Sequence, residues 1–453
     1  MGLSKTLPKL SLCMIVKDEE SVIEDCLKSV EGVVDQIVVV DTGSRDSTIE
    51  ICKRYGAEVY YYRWRDDFSA ARNESIKYAR GDWILWMDAD ERLDPGSVEK
   101  LKRLLTFERK PMAYKVLIKN VKPDGSYYFS DAHRLFRNGV GIFFTGIIHE
   151  QVAPSVLSLG GEIRDTDIVI SHIGYSYTGS RERRKKERNR KLLLKYVDRE
   201  PRNAYAHYTL GQFYALDGDH HKALEHYLIA YRLDQFDKSL TGSLLNVIAE
   251  SYIEVGEYKK AKEFAVKSMR LCPDQVGCYY LLYKVNNREG KYSRCLEYLS
   301  KMLEKIPLIE SGRKSISTDV VVDEIKVLYT RILCGVKAGE LEGVRNDVVK
   351  ILEKKEVPLP LLESLMRVSF DVRAYDLAIR VLERLYSLSG EKKYLEMMGI
   401  TYIKMENFGK ALEVYRKLFE MEPNNIEYVK KLAGLCGKLG DMESASRYAK
   451  LLR

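Results

Sequence analysis

Nowhere does this chain hold the roughly 18 uninterrupted apolar residues that a membrane-spanning helix requires. The apolar stretch Leu10–Val16 is short and runs straight into Lys17-Asp18-Glu19-Glu20, so no secretory leader is expected either. Its 8 cysteines contain no Cys-x-x-Cys pair. That excludes a zinc ribbon, a thioredoxin-like redox centre and a dense disulfide framework, and it favours reduced thiols in a cytoplasmic protein. A Gly-x-Gly-x-x-Gly turn and a Walker loop are also missing, so any phosphate must be neutralised by other means. Charge of one sign is scarce too. The 74 Lys and Arg exceed the 66 Asp and Glu by only 8, which suits anionic substrates or a membrane surface and requires no nucleic acid. Met1-Gly2-Leu-Ser-Lys-Thr6 fits the permissive myristoylation pattern, leaving peripheral association with the inner face of a membrane open.

What is present is a chain of 453 residues, long enough for two or three domains, with the 45% hydrophobic and 31% charged content of a globular protein. The first 175 residues alternate between the periods of strands and helices. Strands are expected at Leu10–Val16, Gln36–Val40, Ala57–Tyr62 and Asp82–Met87, and helices at Glu20–Glu31, Asp46–Tyr55 and Phe68–Ala79. Such β-α units predict a mostly parallel sheet with helices on both faces. From Ala113 to Ile170 the pattern changes to short strands with turns at Pro123-Asp-Gly125 and Asn138-Gly139, an antiparallel extension.

Beyond Ala204 the pattern is helical and repeats. Ala261 and Cys295, Ala411 and Ala445, and Pro273 and Pro307 are each 34 residues apart, and Ala378 precedes Ala411 by 33. With Leu210-Gly211-x-x-Tyr214 and the Gly-x-Tyr turns at Gly256 and Gly290, this resembles the tetratricopeptide repeat. Five clear units and two degenerate ones between Glu324 and Gly390 are expected. The implied organisation is an α/β domain over 1–178, a basic linker helix over 179–203, and an all-α array over 204–453. Arg181–Lys191 in the linker is either a solvated face or a positive rim near a cleft, attracting diphosphate or an anionic acceptor.

The most informative segment is Trp83-Ile-Leu-Trp-Met-Asp88-Ala89-Asp90-Glu91, an apolar strand that ends in two carboxylates. In an open α/β sheet, the ligand site lies beyond the carboxyl ends of the strands. Hard oxygen donors there suit Mg²⁺ or Mn²⁺ bridging a diphosphate, hence a nucleotide-activated substrate. Asp41 ends a Val-rich strand and should face the cleft, unless it caps the helix that follows. Lys17–Glu20 could meet a nucleoside or simply start a helix.

Three motifs in order, Ser11-Leu-Cys-Met-Ile-Val-Lys-Asp18-Glu19-Glu20, Val40-Asp41-Thr42-Gly43-Ser44-x-Asp46-x-Thr48 and Trp86-Met-Asp88-Ala-Asp90-Glu91, resemble family 2 glycosyltransferases of the GT-A fold. Arg134-Leu-Phe-Arg137, Ile148-His149-Glu150 and Ser171-His172-Ile-Gly174-Tyr175 are similar to a subgroup carrying tetratricopeptide repeats, among them lipopolysaccharide-core sugar transferases and peptide S-glycosyltransferases. The resemblance implies an inverting, metal-dependent hexosyltransferase that uses a nucleotide-diphospho-sugar such as a UDP-sugar and a glycan, lipid-linked or peptide acceptor. Glu20, Asp41, Arg72, Asp88 and Asp90 would bind the donor. Asp90 and Asp88, with His149 and His172, would hold Mn²⁺ or Mg²⁺. Glu150, or its rival Asp131, would take the acceptor's proton. Glu150 is expected to follow a short strand at Gly146–Ile148. The array is read as a dimerisation surface, with acceptor recruitment as the alternative. Two competing classes are a scaffold built on the repeats with a non-catalytic α/β domain, and a nucleotidyltransferase, which would need an early phosphate loop that Cys13–Glu20 does not offer.

Overall fold

The structure is a computed structural model and describes residues 8–106, 112–121, 127–173, 180–310 and 323–452. The Met1–Thr6 pattern, the Pro123–Gly125 turn and Gly174-Tyr175 lie outside these residues.

The α/β part runs β1 (Leu10–Val16), α1 (Ile23–Ser29), β2 (Gln36–Asp41), α2 (Thr48–Arg54), β3 (Glu58–Tyr61), α3 (Phe68–Lys77), β4 (Trp83–Trp86), β5 (Glu91–Leu93), α4 (Val98–Leu105), β6 (Ala113–Val121), β7 (Tyr127–Arg137), α5 (Ala153–Ser158) and β8 (Ile163–Ile173). All eight strands form one sheet in the order β3-β2-β1-β4-β7-β6-β8-β5. The first four are parallel, and β7 joins β4 antiparallel, which starts the mixed extension. Alternation along the strands divides the core between the two faces of the sheet. Leu10, Leu12, Met14, Leu85 and Met87 pack with Ile23, Leu27, Ile51 and Leu101 from α1, α2 and α4. Cys13, Val38, Ile84, Trp86 and Phe136 pack with Ile76 of α3 and Val156 of α5. Strands buried on both faces read as continuous apolar runs, which is why β1, β2 and β4 stand out in the sequence. Val16 of β1 pairs with Asp41 of β2, so these carboxyl ends align beside the end of β4.

A long helix, α6 (Ser180–Arg199), leads into seven successive helix pairs. These are α7 (Ala204–Leu216) and α8 (His220–Leu233), α9 (Lys238–Glu254) and α10 (Tyr258–Leu271), α11 (Gly277–Arg288) and α12 (Tyr292–Glu310), α13 (Glu324–Ala338) and α14 (Leu341–Leu352), α15 (Leu359–Asp371) and α16 (Tyr375–Ser389), α17 (Lys392–Lys404) and α18 (Phe408–Met421), and α19 (Ile426–Lys438) and α20 (Met442–Lys450). Ala223, Ala261, Cys295, Ala378 and Ala411, at the recurrent small site, are fully buried. Pro273 follows α10 as the repeat pattern requires, whereas Pro307 lies within α12. The chain divides into two compact units. One holds Met1–Val285 with Lys305–Val321, the other Asn286–Glu304 with Val322–Arg453. All 8 cysteines are buried and free. Among the described residues no helix is long and apolar enough to cross a membrane.

Candidate active site

Beyond β4 the chain turns through Asp88, Ala89 and Asp90 before β5, and buried charge builds this turn. The Glu91 carboxylate accepts the Asp88 N–H at 2.9 Å and binds the Arg134 guanidinium. Arg134 also reaches Asp88 Oδ2 at 3.5 Å and lies 3.5 Å over the Trp86 indole. Arg72 approaches the same ring at 4.1 Å and bonds Asp88 Oδ1 through Nη2 at 2.6 Å, while its Nε bonds Glu150. Two guanidinium groups thus share one indole and the Asp88 carboxylate, and each holds one further carboxylate, Glu150 on Arg72 and Glu91 on Arg134. Desolvation works against the charge on Asp88, but Arg72 and then Arg134 outweigh it and hold its carboxyl well below the usual carboxylate range. Burial pushes the Glu91 carboxyl the other way, up to about 7, against the pull of Arg134.

Glu150 arrives on a loop, not after a strand. Residues 146–149 are bends, with Gly146 at φ 94° and His149 at φ 54°, and a single bridge between Thr145 and Gln151 closes the loop. The expected strand at Gly146–Ile148 does not form because α3 and α6 dictate the path. Asn73 exchanges hydrogen bonds with the Phe144 backbone at 2.7 and 2.9 Å, and Phe68 N–H donates to Ile147 O at 2.8 Å. A Cβ on Gly146 would stand 3.0 Å from the Tyr196 hydroxyl. The loop therefore brings Glu150 onto Arg72, one residue before Asn73.

Asp90 and His172 form a second pair. The β5–β8 register sets Glu91 opposite His172, and Asp90 Oδ2 lies 3.3 Å from His172 Nε2. His172 Nδ1 lies 3.1 Å from Asn120 Oδ1. The hydrogen bond to Asp90 raises the His172 pKa. A divalent ion would take the place of the proton shared with Asp90, while Asn120 accepts the Nδ1–H and orients the ring, the usual outer support of a metal-binding imidazole. Among the described residues no group of three or more His, Cys, Asp or Glu side chains is spaced to hold a metal. Asp90 and His172 would offer a divalent ion one carboxylate and one imidazole, and the rest of its shell would have to come from ligand oxygens and water. Asp88, expected as a ligand, instead has both oxygens facing arginines. Burial lowers the His149 pKa against the pull of Glu150.

Asp88, Asp90, Arg72, His149, Glu150 and His172 all line one cavity of about 820 Å³, together with Val16–Glu19 and Thr42. Three expected site residues do not line it. Asp41 turns its carboxylate onto its own turn, accepting the N–H groups of Gly43 and Ser44 at 3.2 and 2.9 Å. Glu20 accepts the Ser47 N–H at 3.0 Å. Asp131 sits on β7 opposite Leu117 of β6. Ser44 Oγ accepts the Asp18 N–H at 3.1 Å, and Asp46 Oδ1 accepts the Thr48 N–H at 3.0 Å. Sequence reasoning missed Trp86 as the platform for the arginines, Glu91 as the clamp on the acid turn, and Trp64 and Phe68 in the cavity wall, which Lys185, Arg188 and Asn189 of the basic run join. The tryptophan between apolar residues read as core, and the basic run in α6 was the one signal that pointed towards the cavity.

Residues 11–152 match the sequence profile of the glycosyl transferase family 2, and residues 242–275 and 393–425 match the tetratricopeptide repeat. A tetratricopeptide-repeat-containing protein of Synechococcus elongatus is 38% identical over 225 residues, 48% of this chain and 55% of that relative. The glycosyltransferase SunS of Bacillus subtilis is 30% identical over 218 residues, 47% of this chain and 51% of its own length. An uncharacterized glycosyltransferase of Rickettsia typhi is 26% identical over 185 residues, 38% of this chain and 62% of its own length. The chain thus spans about half the length of the first two relatives. Fold and matches agree: the chain carries a family 2 glycosyltransferase domain over residues 11–152 and tetratricopeptide repeats in its helical part.

Proposed function

We propose that this protein is an inverting glycosyltransferase that moves a hexose or hexosamine from a nucleotide-diphospho-sugar, a UDP-sugar in the first instance, to a glycan, lipid-linked or peptide acceptor. One observation carries this reading. The Asp90–His172 pair and the Arg72-held Glu150 open onto the same cavity of about 820 Å³, large enough for a nucleotide sugar. Mn²⁺ or Mg²⁺ held by Asp90 and His172 would supply Lewis-acid neutralisation of the departing diphosphate.

The protein's own groups do the rest. Val16–Glu19 and Thr42 at the ends of β1 and β2 wall the nucleoside side, with Asp41 fixing the turn that presents Thr42. Arg72 and Arg134, stacked on Trp86, keep Asp88 charged and the acid turn rigid. Glu150 stands as the base that takes the acceptor proton while the anomeric carbon is attacked from the face opposite the leaving group. Its Oε1 is held by Arg72, and its second oxygen makes no hydrogen bond among the described residues. The repeats either recruit the acceptor or pair two copies of the chain.

The test is release of nucleoside diphosphate from a panel of nucleotide sugars by the purified protein with Mn²⁺. UDP should be released, and Asp90→Ala should lower turnover at least about 100-fold, the order for removing one group that stabilises transition-state charge. Equal turnover in that variant would remove the metal assignment, and no release from any donor would remove the enzyme.

A further inference from the structure

We propose that α6, which the sequence presents as a linker, is a wall of the donor cavity, and that Arg188 binds the diphosphate of the nucleotide there. This rests on the glycosyltransferase reading and extends the donor site beyond the α/β domain. Lys185, Arg188 and Asn189 line the same cavity as Asp90, His172 and Arg72. The Arg188 guanidinium lies 5.3 Å over the Phe68 ring, and its Nε and Nη2 donate to Asn189 Oδ1 at 3.2 and 3.0 Å. Among the described residues it forms no ion pair with a carboxylate, in contrast to Arg72, whose charge is taken by Asp88 and Glu150.

The support beneath it is firm. Leu192, Leu193 and Tyr196 are buried, Lys195 Nζ donates to the backbone oxygens of Arg65 and Asp66 at 3.2 and 3.3 Å, and Arg199 pairs with Asp67 at 3.2 Å. A guanidinium held on such a helix is preorganised for a phosphate, whose oxygens it can take in pairs. Location argues for the diphosphate over an anionic acceptor. Phe68 and Arg72 are four residues apart on one face of α3, a rise of about 6 Å. Arg188 therefore stands over a ring four residues from Arg72 on α3, and it lines the cavity that Asp88, Asp90 and His172 also line.

The test titrates UDP and uridine into the full-length protein with Mn²⁺ by calorimetry, using wild type, Arg188→Ala and Arg188→Lys. Arg188→Ala should weaken UDP at least about tenfold, the order of one lost charged hydrogen bond, and leave uridine unchanged. Arg188→Lys should recover part of the UDP affinity, and added salt should narrow the gap between wild type and Arg188→Ala. Thermal melts of both variants matching wild type tie the loss to the ligand. UDP binding equal in Arg188→Ala and wild type would overturn the proposal and point to the acceptor. Equal weakening of UDP and uridine would overturn it in favour of a structural role. Wild type that binds no UDP would instead sink the glycosyltransferase reading on which this rests.

Discussion

At the scale of single residues, the cavity separates the two carboxylates that could serve as base. Glu150 lines it and touches Arg72, whereas Asp131 lies along β7 outside the lining. Glu150→Gln should therefore reduce turnover by roughly 10²–10⁴ while leaving UDP affinity near wild type, and Asp131→Asn should leave turnover largely intact. The reverse result in single-turnover assays would move the base to Asp131. The thiols give a prediction of a different kind. Burial pushes Cys13, Cys52, Cys278 and Cys295 up to about 12. An unfolded thiol titrates near 8.5, so between about 8.5 and 12 the native state holds protons that the unfolded state has released. Stability must then fall as pH rises through that window. Urea midpoints measured at pH 7, 8.5 and 10 should decline after 8.5, and the native protein should resist a thiol reagent at pH 8 that labels it fully in denaturant. A flat profile with full native labelling would contradict the burial of these groups.

The elements show why some of the fold was legible and some was not. β1, β2 and β4 read cleanly because both faces of each are buried, and the acids after β4 break the apolar run abruptly. The loop carrying Glu150 could not be read, because its path is set by Asn73, 71 residues from Phe144, and by Tyr196 on α6. Asp41 stands at the strand end that the sequence marks, and two backbone N–H groups of its own turn donate to its oxygens. The repeats were legible through their small residues, and these make a quantitative contrast. A Cβ on Gly211 of α7 would meet the Tyr227 ring of α8 at 2.5 Å, whereas one on Gly434 of α19 would meet nothing within 4 Å. Gly→Ala gains about 1 kcal/mol of helix propensity at either site. Overpacking costs about 1–3 kcal/mol, so at Gly211 the clash offsets or exceeds that gain. Gly211→Ala should leave stability unchanged at best and otherwise lower it by up to about 2 kcal/mol, while Gly434→Ala should raise it by about 0.5–1 kcal/mol. Denaturant melts of the two variants check the pair, and a clear gain at Gly211 would refute the close approach of α7 and α8.

At the scale of the whole chain, the sequence draws the end of the α/β domain at 178, where composition turns basic, and the first compact unit holds Met1–Val285 with Lys305–Val321. Composition marks where charge accumulates. It carries no record that Leu192, Leu193 and Tyr196 on the hidden side of α6 are each no more than 2% exposed. Removing α6 would strip the support from Gly146 and cut the Lys195 and Arg199 contacts with residues 65–67. Deleting these three side chains bares the surface they cover, and burial of one such side chain contributes about 1.5–3 kcal/mol against a domain's net stability of about 5–15 kcal/mol. A fragment ending at 178 should therefore melt early, yield to protease and bind UDP weakly, because the loop that carries Glu150 loses the Tyr196 hydroxyl packed on it. A fragment ending at Val285 keeps α6 and the helices through most of α11, and should melt as a cooperative unit with UDP affinity close to that of the full chain. Thermal melts and UDP titrations of the two fragments decide the matter. Equal stability and equal UDP affinity would mean that α6 is a tether after all, and that the basic run serves solvation alone.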